Sequence, residues 1–238
     1  MLFPDRTGAG KHLAAELVAR LPHLRERHPI VLAIPRGGVI VGREVARVLD
    51  APLDVIVARK LGAPGHEELG IGAITSVGAP VLDADIIASL GVDEAYLDAV
   101  MRKERSELER RVRVFRGARP PPALAGRAVV IVDDGLATGV TARAALAAVR
   151  RERPSQLVFA APVCSVDGRA ALLAEGYDVV CLAAPEDFRG VGEWYAEFEQ
   201  VTDAEVMDAL SAEGRGKGEE GSGGGRGGVK AGESDSGG

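Results

Sequence analysis

Residues 129–141 read VVIVDDGLATGVT, and this stretch decides the fold. Its first four residues are apolar and β-branched, which predicts a strand buried on both faces of a sheet. Asp133 and Asp134 follow the strand, and a loop of small and hydroxyl-bearing residues leads into a predicted helix at residues 140–152. A buried strand, a short loop and a helix together form the repeating unit of a parallel α/β sheet.

Similar units lie on both sides of this stretch. The predicted strands are residues 30–34, 53–58, 72–77, 80–82, 128–132, 157–163 and 177–182. The other predicted helices are residues 39–49, 93–116, 166–175 and 202–212. Apolar strands spaced by helices predict an α/β fold with a doubly wound, mostly parallel sheet. A small C-terminal hood (residues 185–200) and a long inserted helix (residues 93–116) are added to it.

The composition favours one domain with a sizeable core. The chain has 238 residues, of which 46% are hydrophobic, and we assign residues 1–213 to this domain. Residues 214–238 are rich in glycine and almost free of apolar side chains, which predicts a disordered tail. The sequence has no apolar run that could span a bilayer and no secretory leader, so we expect a cytoplasmic protein without a membrane partner. The formal net charge of -6 argues against nucleic acid as a partner.

Two cysteines, Cys164 and Cys181, lie in apolar strand-like runs, and we expect them to be reduced core residues. Neither has a nearby histidine or cysteine partner in the sequence, so no metal site held by the protein alone is predicted. The long helix carries Glu104, Glu107 and Glu109 among its arginines. This pattern is typical of a solvated helix or of one that packs against a second subunit, so a homodimer is one expectation.

The loop after the central strand, residues 133–139, is called the acid loop below. Backbone N–H groups at the start of a helix can cradle an anion, and Gly139 lets the chain approach a phosphate closely. Thr138 and Thr141 can donate hydroxyl hydrogen bonds to the same oxygens. Two adjacent acids would repel a phosphate unless they bind something else, such as sugar hydroxyls, directly or through a divalent cation. A ligand with a phosphate beside a ribose diol fits both halves of the loop.

This segment resembles the signature of the type I phosphoribosyltransferases, in which four apolar residues precede two acids, two spacers, a small residue and Thr-Gly-x-Thr. In that family the loop binds phosphoribosyl pyrophosphate (PRPP), which is bound together with Mg. The resemblance implies that Asp133 and Asp134, the predicted catalytic pair, hold the 2- and 3-hydroxyls of the ribose. The residues implied for PRPP as a whole are Asp133, Asp134, Gly135, Ala137, Thr138, Gly139 and Thr141.

Two further motifs agree with the resemblance. The PRGG loop (residues 35–38) follows the first predicted strand and resembles the loop that binds pyrophosphate in this family. Arginine supplies a fork of donors, and glycines let backbone N–H groups face an anion. The second predicted strand ends in an Arg-Lys pair, and residues 61–71 after it resemble the mobile lid of the family. The residues implied for pyrophosphate are Arg36, Gly37, Gly38, Arg59 and Lys60.

The acceptor is the part of the implied reaction that the motifs leave undefined. The hood contains the single tryptophan of the chain, and Phe188 and Trp194 are candidates for stacking against a planar base. Packing of the same side chains against the edge of the sheet is an equally open interpretation. Ala137 stands where family members that use 6-oxopurines have an aspartate, which argues against hypoxanthine or guanine as the acceptor.

The resemblance implies an enzyme of nucleotide metabolism, a glycosyltransferase of the phosphoribosyltransferase class. It would bind Mg-PRPP and transfer the 5-phosphoribosyl group to a nitrogenous acceptor, with release of pyrophosphate. A non-catalytic regulatory protein that binds PRPP or a nucleotide would need the same loops, and a hydrolase or phosphorylase of a phosphoribosyl compound would share them. The motif order is most similar to a subgroup of uncharacterised phosphoribosyltransferases whose acceptor is unassigned.

Overall fold

The computed structural model describes residues 2–215, apart from the side chains of residues 67, 68 and 212–215. The tail predicted at residues 214–238 therefore lies, from residue 216 onward, outside the described residues. The strands are β1 (Ile30–Ala33), β2 (Leu53–Val55), β3 (Ala58–Ala63), β4 (His66–Thr75), β5 (Val81–Leu82), β6 (Ala128–Val132), β7 (Gln156–Val163) and β8 (Asp178–Ala183). The α-helices are α1 (Arg6–Arg20), α2 (Gly37–Leu49), α3 (Ala84–Ser89), α4 (Glu94–Arg116), α5 (Val140–Arg151), α6 (Val166–Ala174) and α7 (Asp203–Arg215). Short 3₁₀ helices span Pro22–Arg27 and Val191–Trp194.

Five parallel strands form the central sheet in the order β2-β1-β6-β7-β8. β1 and β6 pair directly, with Ile30 opposite Val129 and Ala33 opposite Val132. The chain forms β2 on one side of β1 and later returns to form β6 on its other side, so the direction of winding reverses between these two strands. In open α/β sheets, ligands bind in the crevice outside the carboxyl ends of the strands at such a reversal.

Alternate residues of the central strands are buried on opposite faces of the sheet. In β1, Val31 and Ala33 belong to the core that includes residues of α1, α2 and α7, whereas Ile30 and Leu32 belong to the core that includes residues of α5. β6 shows the same alternation. Because helices cover both faces, both sets of strand side chains are apolar. The predicted doubly wound, mostly parallel sheet is therefore confirmed.

The segment after β2 differs from the prediction. The strand predicted at residues 53–58 ends at residue 55, and β3 begins a separate antiparallel sheet with the order β3-β4-β5. Residues 61–71, predicted as a lid loop, form most of the β3–β4 hairpin instead. Leu61 and Ile71 are fully buried on it, and Gly65 has a φ of 70° in its turn. The glycines and polar residues that suggested a loop therefore belong to an irregular hairpin.

The predicted long inserted helix is confirmed as α4. Asp93 caps it by accepting a hydrogen bond at 2.7 Å from a backbone N–H of the first turn. Its apolar side packs against β3, with Leu108 and Phe115 in the core. Near its end, Arg116 is buried and donates to Asp54 Oδ1 of β2 at 3.1 Å. α4 therefore joins the second sheet to the central sheet.

The hood lies against the first described residues of the chain. Phe3 N–H donates to the Trp194 carbonyl at 2.8 Å, and Ala196 N–H donates to the Phe3 carbonyl at 2.8 Å. α7 follows the hood and begins with a capping box, in which the Glu205 N–H donates to Thr202 Oγ1 at 3.2 Å. Among the described helices, none is long and apolar enough to cross a membrane.

Candidate functional site

Two loops meet at the carboxyl ends of β1 and β6. The PRGG loop follows β1 and the acid loop follows β6, and their backbones approach closely. A Cβ atom added to Gly38 would lie 2.8 Å from the Val132 carbonyl oxygen and 2.9 Å from Asp133 Cα. A Cβ atom on Gly37 would overlap the Asp134 carboxylate. Glycine is therefore needed at both positions for the two predicted motifs to share one crevice.

The acid loop is braced by the connection between β7 and α6. Leu136 N–H donates to the Val163 carbonyl at 2.8 Å, and Ser165 N–H donates to the Leu136 carbonyl at 2.7 Å. The Ser165 hydroxyl donates to the Ala137 carbonyl at 2.6 Å. These bonds fix the loop, while Ala137 and Thr138 stay exposed to solvent. The loop is thus both rigidly held and accessible.

Two helices begin at this crevice. α2 starts at Gly37 and α5 at Val140, each directly after one of the two loops. Within the described residues, no side chain caps the first turn of either helix, whereas α1, α3, α4 and α6 are capped by Asp or Ser side chains. Gly139 precedes α5 with a φ of 76°, which favours glycine. Uncapped N–H groups at the positive end of a helix dipole are well suited to binding phosphate.

The two adjacent acids have different surroundings. Burial raises the pKa of Asp133 well above its ordinary value, and the neighbouring Asp134 carboxylate raises it further. Asp133 Oδ1 accepts a hydrogen bond from the Asp134 N–H at 2.8 Å. Asp134 Oδ2 forms an ion pair with Arg6 Nε at 2.7 Å, and the Asp134 carbonyl accepts from the Tyr195 hydroxyl at 2.6 Å. Asp134 is therefore held by both α1 and the hood.

Arg6 is a residue of this site that the sequence motifs do not reveal. It is the first residue of α1, and in addition to its ion pair its Nη1 donates to the Glu199 carbonyl at 2.8 Å. Its guanidinium carbon lies 3.9 Å from the centroid of the Phe198 ring. A cation in the first turn of a helix is unfavourable, because it lies at the positive end of the helix dipole. The position of Arg6 is therefore the one sequence signal that indicates a nearby acid.

The cations predicted to bind pyrophosphate have protein partners. Arg36 Nη1 lies 3.4 Å from Asp203 Oδ1 at the start of α7, and Arg59 Nε donates to Glu104 Oε2 of α4 at 2.8 Å. Arg59 and Lys60 lie on β3 rather than at the end of a central strand, because β2 ends at residue 55. Both line a cavity of about 500 Å³ between β3 and α4. Their contact with pyrophosphate stays a prediction.

The hood borders the acid loop through Val191. A Cβ atom on Gly135 would overlap the Val191 side chain, so glycine is needed there for the contact. Trp194 packs against the cluster that contains Phe3, and its indole N–H is buried without a hydrogen-bond partner among the described residues. Phe188 is half-buried. The stacking role predicted for Phe188 and Trp194 stays a prediction.

The acid pair supplies the carboxylates of the crevice that could contact a metal ion. Among the described residues, no group of three or more His, Cys, Asp or Glu side chains is arranged to hold a metal ion. Asp133 and Asp134 offer carboxylate oxygens, the ligand type that Mg prefers, and would leave most of its coordination to ligand oxygens and water.

Cys164 and Cys181 are buried and are not joined in a disulfide.

Comparison with known proteins places this chain in a family. The phosphoribosyl transferase domain family matches residues 4–197. In Mycobacterium tuberculosis strain H37Rv, the protein named "Putative phosphoribosyl transferase Rv0571c" is 46% identical over 209 residues, which cover 88% of this chain and 46% of the relative. A relative from strain CDC 1551 named "Putative phosphoribosyl transferase MT0597" matches with the same figures. The chain therefore spans about half the length of the curated relatives it matches.

A solved structure supports the same fold. The crystal structure of TT1426 from Thermus thermophilus is 42% identical and superimposes with a TM-score of 0.80. The superposition covers 88% of this chain and 98% of that chain.

Proposed function

The chain belongs to the phosphoribosyl transferase family, and on that premise we propose that it binds Mg-PRPP and transfers the 5-phosphoribosyl group to a nitrogenous acceptor. The observation that carries the proposal is the crevice where two uncapped helix starts and two adjacent acids meet at the reversal of the sheet. PRPP carries a phosphate at one end of its ribose and a pyrophosphate at the other. The two helix starts can each bind one of these anions, and the two carboxylates between them can accept hydrogen bonds from the ribose hydroxyls.

The 5-phosphate is assigned to the start of α5. The backbone N–H groups after Thr138 and the hydroxyls of Thr138 and Thr141 can surround a phosphate, and both threonines are exposed. The left-handed Gly139 lets the chain turn around the anion without a side chain in the way. Because Ser165 and Leu136 anchor the loop to β7, the cradle is fixed before the donor arrives.

The ribose is assigned to Asp133 and Asp134. Carboxylate oxygens accept hydrogen bonds from the 2- and 3-hydroxyls, which orients the anomeric carbon between the two cradles. Transfer then breaks the bond from this carbon to pyrophosphate and forms a bond to the acceptor nitrogen. Pyrophosphate leaves with the bonding electrons, and the proton of the acceptor nitrogen passes to the released pyrophosphate or to water.

The pyrophosphate is assigned to the start of α2. In this assignment the N–H groups of Gly37 and Gly38 would bind the pyrophosphate at the positive end of the helix dipole, and Arg36, Arg59 and Lys60 would supply cations. Mg bound with the donor would offset negative charge on the leaving pyrophosphate. The positive groups of the chain stabilise the same charge as it develops during departure.

The acceptor is assigned to the hood. Phe188 and Trp194 are the aromatic side chains that we propose for stacking against a planar nitrogenous ring, and the indole N–H of Trp194 has no hydrogen-bond partner among the described residues. The contact between Val191 and Gly135 brings the hood next to the ribose-binding acids. Ala137 favours acceptors other than 6-oxopurines.

A regulator that binds PRPP without transferring it is the second candidate function. The observation that favours it is that Asp134, Arg36 and Arg59 each have a protein partner, so part of the machinery is engaged within the chain itself. Such a protein would bind Mg-PRPP and release no pyrophosphate.

Calorimetry and a turnover assay test these candidates. Mg-PRPP is titrated into the wild type and into the Asp133→Asn, Asp134→Asn double variant, and a panel of bases is then screened for pyrophosphate release. We expect wild-type binding that needs Mg, and a loss of affinity of roughly 100-fold in the double variant because charge-assisted hydrogen bonds to the diol are removed. Asp178→Asn is the matched control, because Asp178 is an exposed acid at the start of β8, whereas the crevice lies at the carboxyl ends of the strands.

The outcomes separate the candidates. Pyrophosphate release with one of the bases supports transfer, and binding without release across the panel supports the regulator. Absence of PRPP binding contradicts both functions. Unchanged binding in the double variant contradicts the assignment of the ribose to the two acids.

A further inference from the structure

The Arg6 guanidinium contacts three parts of the crevice at once. Nε pairs with Asp134 Oδ2 of the acid loop, and Nη1 donates to the Glu199 carbonyl in the hood. A Cβ atom on Gly37 would lie 2.7 Å from Arg6 Nε, so the PRGG loop also packs against the same group. The ring of Phe198 covers one face of the guanidinium at 3.9 Å.

This ion pair differs from the other pair on the same helix. The Arg6 side chain is 11% exposed and Asp134 17%, whereas the Arg20 and Glu16 side chains are 48% and 33% exposed. Exposed pairs of neighbouring turns contribute little, whereas removing one partner of a largely desolvated pair leaves the other charge without compensation. The Arg6–Asp134 pair therefore restricts the position of an acid in the crevice.

We propose that Arg6 is a positioning residue that holds Asp134 in the orientation needed to bind the ribose diol of PRPP. This inference rests on the proposed function. Asp133 and Asp134 are adjacent and only partly exposed, and two neighbouring carboxylates repel each other. Arg6 compensates the charge of Asp134 and binds its Oδ2 atom, so that Oδ1 lies outside the ion pair.

The contacts of Arg6 extend this role to the rest of the site. Because Arg6 also holds the Glu199 carbonyl and stacks on Phe198, the chain just after Tyr195 is fixed relative to Asp134. The Tyr195 hydroxyl adds a second tie, to the Asp134 carbonyl. α1 thus contributes to the proposed ribose site although none of the three motifs lies on it.

A double-mutant cycle tests the inference. Mg-PRPP affinity is measured by calorimetry for the wild type, Arg6→Gln, Asp134→Asn and the double variant, with Arg20→Gln as the matched control. We expect Arg6→Gln to weaken binding roughly 10- to 100-fold, because a charge-assisted contact that orients the acid is lost. In the Asp134→Asn background the same change is expected to weaken binding less than about threefold, since the carboxylate on which Arg6 acts is absent.

A conservative variant separates positioning from a general loss of structure. Arg6→Lys keeps the charge but lacks the planar fork that binds Asp134 and the Glu199 carbonyl together, so we expect it to recover part of the affinity lost in Arg6→Gln. Should Arg6→Gln fail to fold, the cycle is run with Arg6→Lys, for which we expect a loss of about threefold that disappears in the Asp134→Asn background. Melting temperatures of all variants record the structural part.

Each result decides between the two proposals. Equal losses in the wild-type and Asp134→Asn backgrounds would overturn the inference, because Arg6 would then act without Asp134. If the wild type binds Mg-PRPP and the Arg6→Gln variant binds it with the same affinity, the inference is overturned and the proposed function is left intact. A wild type that does not bind Mg-PRPP would overturn both.

Discussion

Gly38→Ala is expected to push the two crevice loops apart. The added Cβ would lie 2.8 Å from the Val132 carbonyl oxygen and 2.9 Å from Asp133 Cα, and both are backbone atoms that cannot rotate away. Ordinary carbon–oxygen contacts begin at about 3.3 Å, so the PRGG and acid loops must separate by roughly 0.5 Å.

Gly38→Ala is expected to lower both the stability of the fold and the affinity for Mg-PRPP. Overpacking of this kind destabilises a fold by about 1–3 kcal/mol. A misplacement of about 1 Å can reduce catalysis roughly 100-fold, so a shift of half that size is expected to weaken Mg-PRPP binding about tenfold. We expect this loss of affinity because, in the proposed function, PRPP contacts both loops at once.

Calorimetric titration with Mg-PRPP measures the affinity, and urea unfolding measures the stability. Gly42→Ala on the same helix is the matched control, since its Cβ would lie 3.0 Å from Ala33 Cβ and 3.3 Å from a Leu53 methyl, away from the crevice. We expect Gly42→Ala to lower stability and leave PRPP affinity unchanged. If Gly38→Ala lost stability and still bound Mg-PRPP like the wild type, the two loops would not form one site.

Two further predictions concern the replacement of acids that are buried or paired with a buried side chain, Asp133 and Asp54. Asp133→Asn is expected to stabilise the fold at neutral pH, because the raised pKa of Asp133 means that the folded state resists ionisation. This gain in unfolding free energy should vanish below about pH 4, where the carboxyl of the unfolded chain is also protonated. Urea unfolding midpoints of the variant and the wild type, measured over a range of pH, would test it. Asp54→Asn leaves the buried Arg116 without its charge partner and is expected to destabilise the fold by about 3 kcal/mol in urea unfolding. PRPP affinity should stay unchanged in that variant, since neither residue belongs to the PRGG loop or to the acid loop, and a large loss would show that α4 acts on the site.

Much of the central sheet could be predicted from the sequence because its signals are local. The apolar runs of β1 and β6 are buried on both faces, and the helices follow them at the expected spacing. Gly37 and Gly38 were predicted as part of an anion-binding loop, and the close approach of this loop to the acid pair gives a physical reason for both glycines.

The β3–β4 hairpin could not be predicted from the same signals. Glycines and charged residues in residues 61–71 are typical of a loop, and the buried pair of Leu61 and Ile71 is too short a pattern to outweigh them. The turn signal at Gly65 indicates a hairpin only when both flanking runs are known to be strands. The pairing becomes favourable through packing against α4, a separate element that the pattern of residues 61–71 does not include.

The contacts of Arg6 were beyond the sequence for a different reason. Its partners Asp134 and Glu199 lie 128 and 193 residues further along the chain, and an arginine at the start of a helix indicates only that an acid is nearby, not which one. Only the closed fold, in which Phe3 pairs with the hood, brings the start of α1 to the crevice. The site is therefore built from a local motif and from a long-range contact that no motif contains.

The two predicted pyrophosphate arginines differ in how readily they could reach the donor. Arg36 and Asp203 are 40% and 50% exposed and 3.4 Å apart, and an exposed pair of this kind contributes about 0–1 kcal/mol. Arg59 and Glu104 are 30% and 12% exposed and 2.6 Å apart, so breaking their pair leaves a largely buried carboxylate without a partner. Redirecting Arg36 toward a pyrophosphate at the start of α2 therefore requires little free energy. Redirecting Arg59 would also weaken the contact between β3 and α4, and so the leaving group is expected to depend more on Arg36.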